Sequence, residues 1–148
     1  MNDTLIFLHL PRTGGTTLRD ILSKQYPEHE TFENKTLLDT DDNFNNSKIK
    51  EMSHFNLIKG HIYFGVHKYI SQSSKYFSMM RDPIERTISA YNYIKKRSNH
   101  PFHELANTLS IDEFIKSGQN VMVNNGQTRL IAGRETSLNV PFNKIDSS

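Results

Sequence analysis

The stretch LIFLHLPRTGGTTLRDIL, residues 5–22, constrains the fold more than any other part of the sequence. Leu5–Leu10 is an apolar run without clear alternation, which is typical of a strand buried on both faces of a sheet. Pro11 ends the run, a polar loop with two glycines follows, and Thr16–Tyr26 then reads as a helix. The apolar face of that helix comprises Leu18, Ile21, Leu22 and Tyr26. A buried strand, a glycine loop and a helix in this order predict an α/β fold.

Two further strands are predicted downstream. Asn56–Gly65 contains a short apolar strand that ends near Lys59, and Lys75–Met80 has the pattern of a third strand. The polar stretch LLDTDDNFNNSK, residues 37–48, predicts a surface loop before the second strand. Strands that alternate with helices favour a parallel sheet.

Two helices carry start signals. Asp82 suits the N-cap of the first, Pro83 its first position and Glu85 the end of a capping box. Its apolar residues repeat at helical spacing, namely at Ile84, Ile88, Tyr91 and Ile94. A shorter helix is predicted to start at Ser110, with Glu113 in a capping box, and to stop at Gly118. A length of 148 residues suits one domain, and we predict one domain over residues 1–148.

Composition excludes several classes of function. The chain has no cysteine, which excludes disulfides and thiolate metal sites. Its formal net charge of +2 is too small to indicate nucleic-acid binding. No apolar run approaches the roughly 20 residues of a membrane span, and no basic segment precedes the first apolar run as in a signal peptide. We expect a globular protein without a nucleic-acid or membrane partner.

The loop Pro11–Thr17 has the chemistry of an anion cradle. Glycines let backbone amides approach an anion, the start of the following helix adds its dipole, and two threonine hydroxyls can donate. No Gly-Lys-Ser/Thr closes the loop as in a Walker A motif, and Gly-x-Gly-x-x-Gly is absent. The cation, Arg12, precedes the glycines. An ordinary strand-to-helix turn, with glycines for tight packing, is the alternative.

Residues 78–94, SMMRDPIERTISAYNYI, repeat this layout. Arg81 lies where the strand passes into the helix, and its planar guanidinium suits a phosphate. Ser89, two turns into the helix, can add a hydroxyl. Alternatively, Arg81 pairs with a nearby carboxylate and Ser89 is a solvated helix residue.

PRTGGTTL followed about seventy residues later by RDPIERTISAY resembles the sulfotransferases that use 3′-phosphoadenosine 5′-phosphosulfate (PAPS), most closely the carbohydrate sulfotransferases and their bacterial relatives. The resemblance implies a three-layer, P-loop-like α/β fold whose central parallel sheet is flanked by helices. It implies that Arg81 and Ser89 bind the 3′-phosphate of the donor and that no metal is needed. The 5′-phosphosulfate would be bound by Arg12, Thr13, Gly14, Gly15, Thr16 and Thr17.

Arg12 departs from the commonest pattern of that family. Many members carry Lys at this position, although the tyrosylprotein sulfotransferases have Arg. Sulfuryl transfer needs positive charge where the leaving phosphate oxygen gains negative charge, and a phosphate leaves without a proton at neutral pH. A permanently charged guanidinium can therefore serve, and Arg12 is predicted to be catalytic.

The acceptor hydroxyl needs a base, and KGHIYFGVH, residues 59–67, offers His61 and His67. His61 lies just beyond a predicted strand end, where active-site loops gather in open α/β sheets. The glycosaminoglycan uronyl sulfotransferases carry their catalytic histidine in an HGH context, and the resemblance implies His61 as the base. This chain has Lys59 in place of the first histidine. His67, Glu33 and Glu85 are the alternatives, and His9 is predicted to be a core or edge residue.

NNGQTRLIAG, residues 124–133, resembles a downstream segment of the bacterial members. Arg129 within it could reach the donor phosphates or the acceptor, or else pair on a helix surface. Members of the family usually run well beyond 148 residues, so the C-terminal part of the fold is expected to be incomplete. Golgi relatives start with a membrane anchor, whereas this chain begins almost at its first strand, and a cytoplasmic bacterial protein is expected.

The leading hypothesis is sulfuryl transfer from PAPS to a hydroxyl of a carbohydrate or small metabolite. Two alternatives stay open. A nucleotide or small-molecule kinase would require phosphate handling without a Walker A loop. A non-catalytic module that binds PAPS or its desulfated product would suit a shortened chain.

Overall fold

The structure, a computed structural model, describes residues 3–34, 52, 54–62, 64–120 and 122–132. Contacts within the chain divide it into two compact units, residues 1–80 with 127–135 and residues 81–126 with 136–148. The loop predicted over residues 37–48 and the last residue of the 124–133 segment lie outside the described residues. The single domain over residues 1–148 stays a prediction.

The first unit contains a four-stranded sheet in the order β2-β3-β1-β4, and every pair of neighbours is parallel. The strands are β1 (Thr4–Leu8), β2 (Thr31–Asn34), β3 (Leu57–Gly60) and β4 (Ser74–Ser78). The predicted parallel α/β sheet is therefore confirmed. β2 is an element that the sequence analysis missed, since its sequence TFEN lacks an apolar run.

The first and last strands are shorter than predicted. β1 stops at Leu8, because the N–H of Leu10 turns back to donate to the Leu8 carbonyl instead of to a neighbouring strand. β4 stops at Ser78, and the side chains of Met79 and Met80 are exposed. Both strands therefore leave two residues of connecting chain where a continuous strand was predicted.

Both faces of this sheet are covered. Helix α1 (Gly15–Gln25) places Leu18 and Leu22 against Phe7 and Leu57 on one face. On the other face, strand residues pack against the segment after β3, which includes a 3₁₀ turn at Val66–Tyr69. The buried cluster there comprises Ile6, Leu8, Met52, Ile58, Ile62, Val66 and Ile70. This burial explains why β1 reads as apolar without alternation.

The second unit is helical. Its helices are α2 (Pro83–Lys95), α3 (His103–Thr108) and α4 (Ile111–Lys116), and their shared core comprises Tyr91, Ile94, Ala106 and Phe114. Ser110 and Glu113 form the predicted capping box of α4, whereas α3 was not predicted. Helix α5 (Gly126–Ile131) follows along the chain.

The apolar repeat of α2 is buried over only half of its length. Tyr91 and Ile94 are in the core, but Ile84 is 71% exposed and Ile88 is also exposed. Both line a groove of about 370 Å³ together with Ile111 and Ile115 of α4. Within the described ranges, no helix is long and apolar enough to cross a membrane. The cytoplasmic location stays a prediction.

Candidate functional site

The backbone of the loop after β1 has the form of an anion cradle. Arg12 and Gly14 have φ of 68° and 85°, whereas Thr13 between them does not have a positive φ. Alternating signs of φ turn successive N–H groups toward one side, as in the backbone nests that bind anions. Gly14 is also the N-cap of α1 and has no side chain, so the first-turn N–H groups donate no hydrogen bond to an N-cap side chain. These N–H groups carry the positive end of the helix dipole.

The side chains of this loop divide into two sets. The Thr13 hydroxyl is buried and donates to the Leu10 carbonyl over 2.9 Å. This hydrogen bond stabilises the conformation of the loop. Thr16 and Thr17 are exposed on the first turn of α1, and the Arg12 side chain is half-buried. Arg12 also holds an unfavourable left-handed backbone conformation, which costs about 1–2 kcal/mol in a residue with a Cβ. Such strain is typical of functional loops.

The loop lies at the carboxyl end of the central strand. β1 has β3 on one side and β4 on the other, and ligands of open α/β sheets bind outside the carboxyl ends of strands at such a switch point. The Ser78 hydroxyl at the end of β4 donates to the Leu8 carbonyl over 2.7 Å. A Cβ built on Gly14 would lie 3.8 Å from Cε of Met79. The cradle therefore borders the end of β4 as well as that of β1.

His9 fills the space beneath the start of α1. Its side chain is only 9% exposed, and a Cβ built on Gly15 would lie 2.3 Å from its Cδ2. Only glycine fits at position 15 while the His9 ring keeps this place. Burial, followed by the nearby His61, lowers the pKa of His9 to about 4, so this ring is neutral at pH 7.

His61, one residue after β3, stacks on His9. The two ring centroids are 4.6 Å apart with planes inclined by 27°. Nδ1 of His61 lies 2.7 Å from the backbone carbonyl oxygen of His9. A carbonyl only accepts, so Nδ1 carries the proton and the lone pair of neutral His61 is on Nε2. The structure thus brings together the cradle, His9 and the predicted base.

His67 has a different environment. The Tyr76 hydroxyl accepts from the N–H groups of Gly65 and His67 over 3.3 and 2.8 Å, and its oxygen lies 3.0 Å from Nδ1 of His67. With its acceptor sites used by backbone, the hydroxyl directs its proton to Nδ1, which places the proton of neutral His67 on Nε2. Burial raises the pKa of Tyr76, so the hydroxyl keeps this proton. These contacts favour a packing role for His67.

Lys59 and Glu33 form an ion pair within the sheet. They are register partners on β3 and β2, and the Lys59 Nζ lies 3.4 Å from the Glu33 carboxylate. The Lys59 side chain is only 2% exposed and also donates to Ser23 of α1. Glu33 lies 3.9 Å from Arg19 as well. Glu33, one of the alternative bases from the sequence, therefore pairs with two cations.

A polar cavity of about 510 Å³ adjoins this ion pair. Every residue that lines it has a polar side chain, namely Ser23, Tyr26, Glu28, Thr31, Glu33 and Lys59. Hydroxyls and charged groups of both signs suit a hydroxyl-rich ligand better than an apolar one. The cavity opens on the α1 face of β2 and β3, because Thr31, Glu33 and Lys59 all point to that face.

Arg129 lies on α5 and is buried, with 4% of its surface exposed. This contradicts the alternative of an arginine on a helix surface. Leu130, the next residue, packs against Leu10 at the start of the loop, and its carbonyl accepts from the N–H of Phe64. Helix α5 is thereby fixed against the loop after β1.

The junction before α2 is built differently. The Asp82 side chain caps the helix and accepts from the N–H groups of Ile84 and Glu85 over 3.0 and 2.9 Å. The Glu85 carboxylate pairs with Nε of Arg81 over 3.3 Å instead of completing the predicted capping box. Arg81, which precedes α2, is exposed, and Ser89 on α2 is partly exposed. A ligand at this junction would therefore be bound by side chains.

A family model described as "Sulfotransferase family" matches residues 1–131. The chain belongs to this sulfotransferase family. The predicted membership and the α/β fold class are therefore confirmed, and sulfuryl transfer in general is the chemistry of the family. The curated proteins and the solved structures give no significant match to the chain.

Sequence reasoning missed two buried cations of this chain, Lys59 and Arg86. Lys59 was treated only as a missing histidine, and Arg86, which is 3% exposed, was not singled out. Arg86 donates to the Met122 carbonyl over 2.6 Å, and burial lowers its pKa. His9 was predicted to be a core or edge residue. A charged residue at a core-facing position of a helix, or on a buried strand, is the signal that could have identified Arg86 and Lys59.

Proposed function

We propose that this sulfotransferase transfers the sulfuryl group of PAPS to a hydroxyl of a carbohydrate or a small metabolite. The observation that carries the proposal is the cradle of residues 11–17 in a chain of this family. The cradle lies at the carboxyl end of β1, and its N-cap is a glycine. The sign of φ alternates along its backbone, so its N–H groups can bind the anionic end of a phosphosulfate.

Arg12, Thr13, Gly14, Gly15, Thr16 and Thr17 would hold the 5′-phosphosulfate of the donor. In this set Thr13 and the glycines would act through backbone N–H groups, because the Thr13 hydroxyl donates to Leu10. Thr16 and Thr17 have exposed hydroxyls that can donate to phosphate oxygens. Arg12 would stabilise the negative charge that builds on the phosphate oxygen as the bond from this oxygen to sulfur breaks.

Arg81 and Ser89 would bind the 3′-phosphate. The pairing of Arg81 with Glu85 does not oppose this role, since exposed ion pairs contribute only about 0–1 kcal/mol. A phosphate with two negative charges competes well with one solvated carboxylate for a guanidinium. Arg129 is proposed to act close to the loop after β1, because its helix packs there.

His61 would act as the general base. Its Nε2 lone pair, left available by the Nδ1 hydrogen bond to His9, would take the proton of the acceptor hydroxyl while that oxygen attacks sulfur. The new oxygen–sulfur bond forms as the bond from sulfur to the leaving phosphate oxygen breaks. The polar cavity beside Lys59 supports a hydroxyl-bearing acceptor.

Calorimetry tests the donor site. The titrants are 3′-phosphoadenosine 5′-phosphate (PAP), which has both phosphates, and 5′-AMP, which lacks the 3′-phosphate. We expect PAP to bind at least about tenfold more tightly, since a charge-assisted arginine contact contributes about 1.5–3 kcal/mol. Arg81→Ala should remove this difference and leave 5′-AMP binding unchanged. Equal, weak binding of both nucleotides to the wild-type protein would refute the proposed 3′-phosphate site.

A further inference from the structure

His9 connects the sheet to the proposed base through an unbroken stack of four rings. From β4 to β3 the rings are those of Phe77, Phe7, His9 and His61. Their successive centroids are 4.9, 5.5 and 4.6 Å apart, and their planes are inclined by 19°, 12° and 27°. Offset stacking of this kind favours one orientation of each ring. Through this stack, the buried core of the sheet restricts the orientation of the His61 ring.

The backbone of His9 holds the same histidine. Its carbonyl accepts from Nδ1 of His61 over 2.7 Å, and its N–H donates to the carbonyl of Gly60 over 2.8 Å. Residue 9 thus contacts residues 60 and 61 through its ring, its N–H and its carbonyl. The carbonyl determines which nitrogen of His61 carries the proton, and the ring face determines the plane in which the other nitrogen lies.

The charge state of His9 suits this arrangement. Its burial beneath Gly15 disfavours the imidazolium and lowers its pKa to about 4, and His61 and Arg19 act in the same direction while Glu33 opposes them. His9 is therefore neutral at pH 7, and it stays neutral when His61 takes the proton of the acceptor hydroxyl. A protonated His61 is attracted to the face of a neutral aromatic ring, whereas two stacked imidazolium rings would repel each other.

We propose that His9 is a positioning residue for the sulfuryl-transfer reaction, which holds His61 in the tautomer and ring plane of an Nε2 base. This inference rests on the proposed function of His61. The property of His9 that matters is a flat ring without charge, because the backbone carbonyl is present whatever the side chain. His9→Phe keeps that ring, whereas His9→Leu removes it at similar volume.

Nitrogen NMR of the full chain labelled with ¹⁵N-histidine tests the tautomer directly, with His61→Ala used to assign the signals. In the wild-type protein and in His9→Phe, we expect neutral His61 to carry its proton on Nδ1. His9→Leu keeps the carbonyl but removes the ring face that holds the plane of His61. The His61 ring can then turn away from the carbonyl, so we expect a mixture of both tautomers. A wild-type His61 protonated on Nε2, or a His9→Leu spectrum identical to wild type, overturns the proposal.

Release of PAP from PAPS with water as the acceptor provides the kinetic readout. His9→Leu should lower kcat by roughly tenfold without changing KM for PAPS, since a positioned general base contributes about 10²–10⁴-fold. His9→Phe should stay within about twofold of wild type. The matched control is Phe77→Leu, which removes the ring at the far end of the stack and should leave the His61 tautomer unchanged.

The outcomes separate the two proposals. Undiminished turnover by His61→Ala would refute the base itself, whereas the tautomer of His61 in the His9 variants reports only on positioning. A His9→Phe protein as slow as His9→Leu would overturn the role of the flat ring. So would a Phe77→Leu protein that loses the same share of kcat. If His9→Leu does not fold, a wild-type His61 protonated on Nε2 or a His9→Phe protein with mixed tautomers still overturns the proposal.

Discussion

The two arginine-bearing strand-to-helix junctions look alike in sequence but are constructed differently. Before α1, the N-cap is Gly14, which has no side chain, and the backbone alternates in handedness. Before α2, the N-cap is Asp82, whose carboxylate already accepts from two N–H groups of the first turn. An anion can therefore be held by the amides of the first junction, but it would have to displace a carboxylate at the second.

This difference assigns different chemistry to the two junctions. Backbone N–H groups are rigid and need no reorganisation, so they suit a group at which negative charge develops during reaction. Arg81 and Ser89 are side chains on or before a capped helix, and they suit a phosphate that only anchors the ligand. The comparison therefore supports a reacting group at the first junction and an anchoring group at the second.

Removal of the cation at the first junction should have the largest effect. Arg12→Ala should lower kcat for PAP release from PAPS by about 10²–10³-fold, which corresponds to about 3–4 kcal/mol of lost transition-state stabilisation. Arg12→Lys is the matched control and should retain most of the rate, because it keeps the charge. If Arg81→Ala lowers kcat more than Arg12→Ala does, the proposed division between the junctions is wrong.

Gly15→Ala should destabilise the protein by about 2–3 kcal/mol, the upper part of the range for overpacking, because its Cβ would lie 2.3 Å from the His9 ring. The free energy of unfolding in urea gives the measurement. His9→Ala in the same chain should restore part of the loss. Gly14→Ala is the control: its Cβ would have room, so its cost comes from the φ of 85° and should not respond to His9→Ala. Equal rescue of both variants would contradict the clash.

His9, which lies beneath the first junction, should make the stability of the protein depend on pH. Its pKa is about 4 in the folded protein and 6.5 in the unfolded chain, so the unfolded state takes up a proton first as pH falls. The free energy of unfolding should therefore decrease between about pH 6.5 and pH 4, by about 2 kcal/mol at pH 5. His9→Phe should lack this component, so its urea unfolding at pH 7.5 and pH 5 isolates the effect. Identical losses in both proteins would argue against a buried neutral His9.

At the second junction, Asp82→Ala should lower the free energy of unfolding by about 1 kcal/mol, because α2 loses its N-cap. Asp82→Asn, which retains a capping oxygen, should lie close to wild type. The 5′-AMP affinity of both variants should equal that of wild type, since we assign the 5′ end to the first junction. If Asp82→Ala by itself greatly weakened 5′-AMP binding, the assignment of the 5′ end to the first junction would be contradicted.

Glu85→Gln should have the smallest effect. It removes an exposed partner of Arg81, which changes the free energy of unfolding by less than about 0.5 kcal/mol. Because Arg81 then no longer pairs with a carboxylate at position 85, PAP should bind as tightly as to wild type or up to about twofold more tightly. Calorimetry measures this, and a tenfold loss would instead indicate that Glu85 belongs to the site, as one of the alternatives from the sequence had it.

Local patterns were enough to predict the elements that carry their own signals. The run before Pro11, the cap at Asp82 and the capping box at Ser110 each depend on residues close in sequence, and each element formed where predicted within about two residues. β2 was missed because a four-residue strand with Glu33 inside it has no pattern of its own. It exists through pairing with β3, which a local reading cannot detect.

The candidate site was predictable to a similar degree. The cradle and His61 follow from motifs, but the two histidine tautomers follow from partners that are distant in sequence. His61 donates to residue 9 and His67 packs on Tyr76, and nothing near either histidine indicates this. The same holds for Lys59, whose burial needs Glu33 and Ser23 from other elements.

The sequence by itself determined the strand, the glycine loop, the helix starts and the family, because these depend on steric and hydrogen-bonding preferences within a few residues. The tertiary structure alone decided that His9 lies beneath Gly15, that its ring stays neutral, and that His61 keeps its lone pair on Nε2. Burial and hydrogen-bond partners set the protonation of an imidazole, and both are created only when β1 and β3 pair in register.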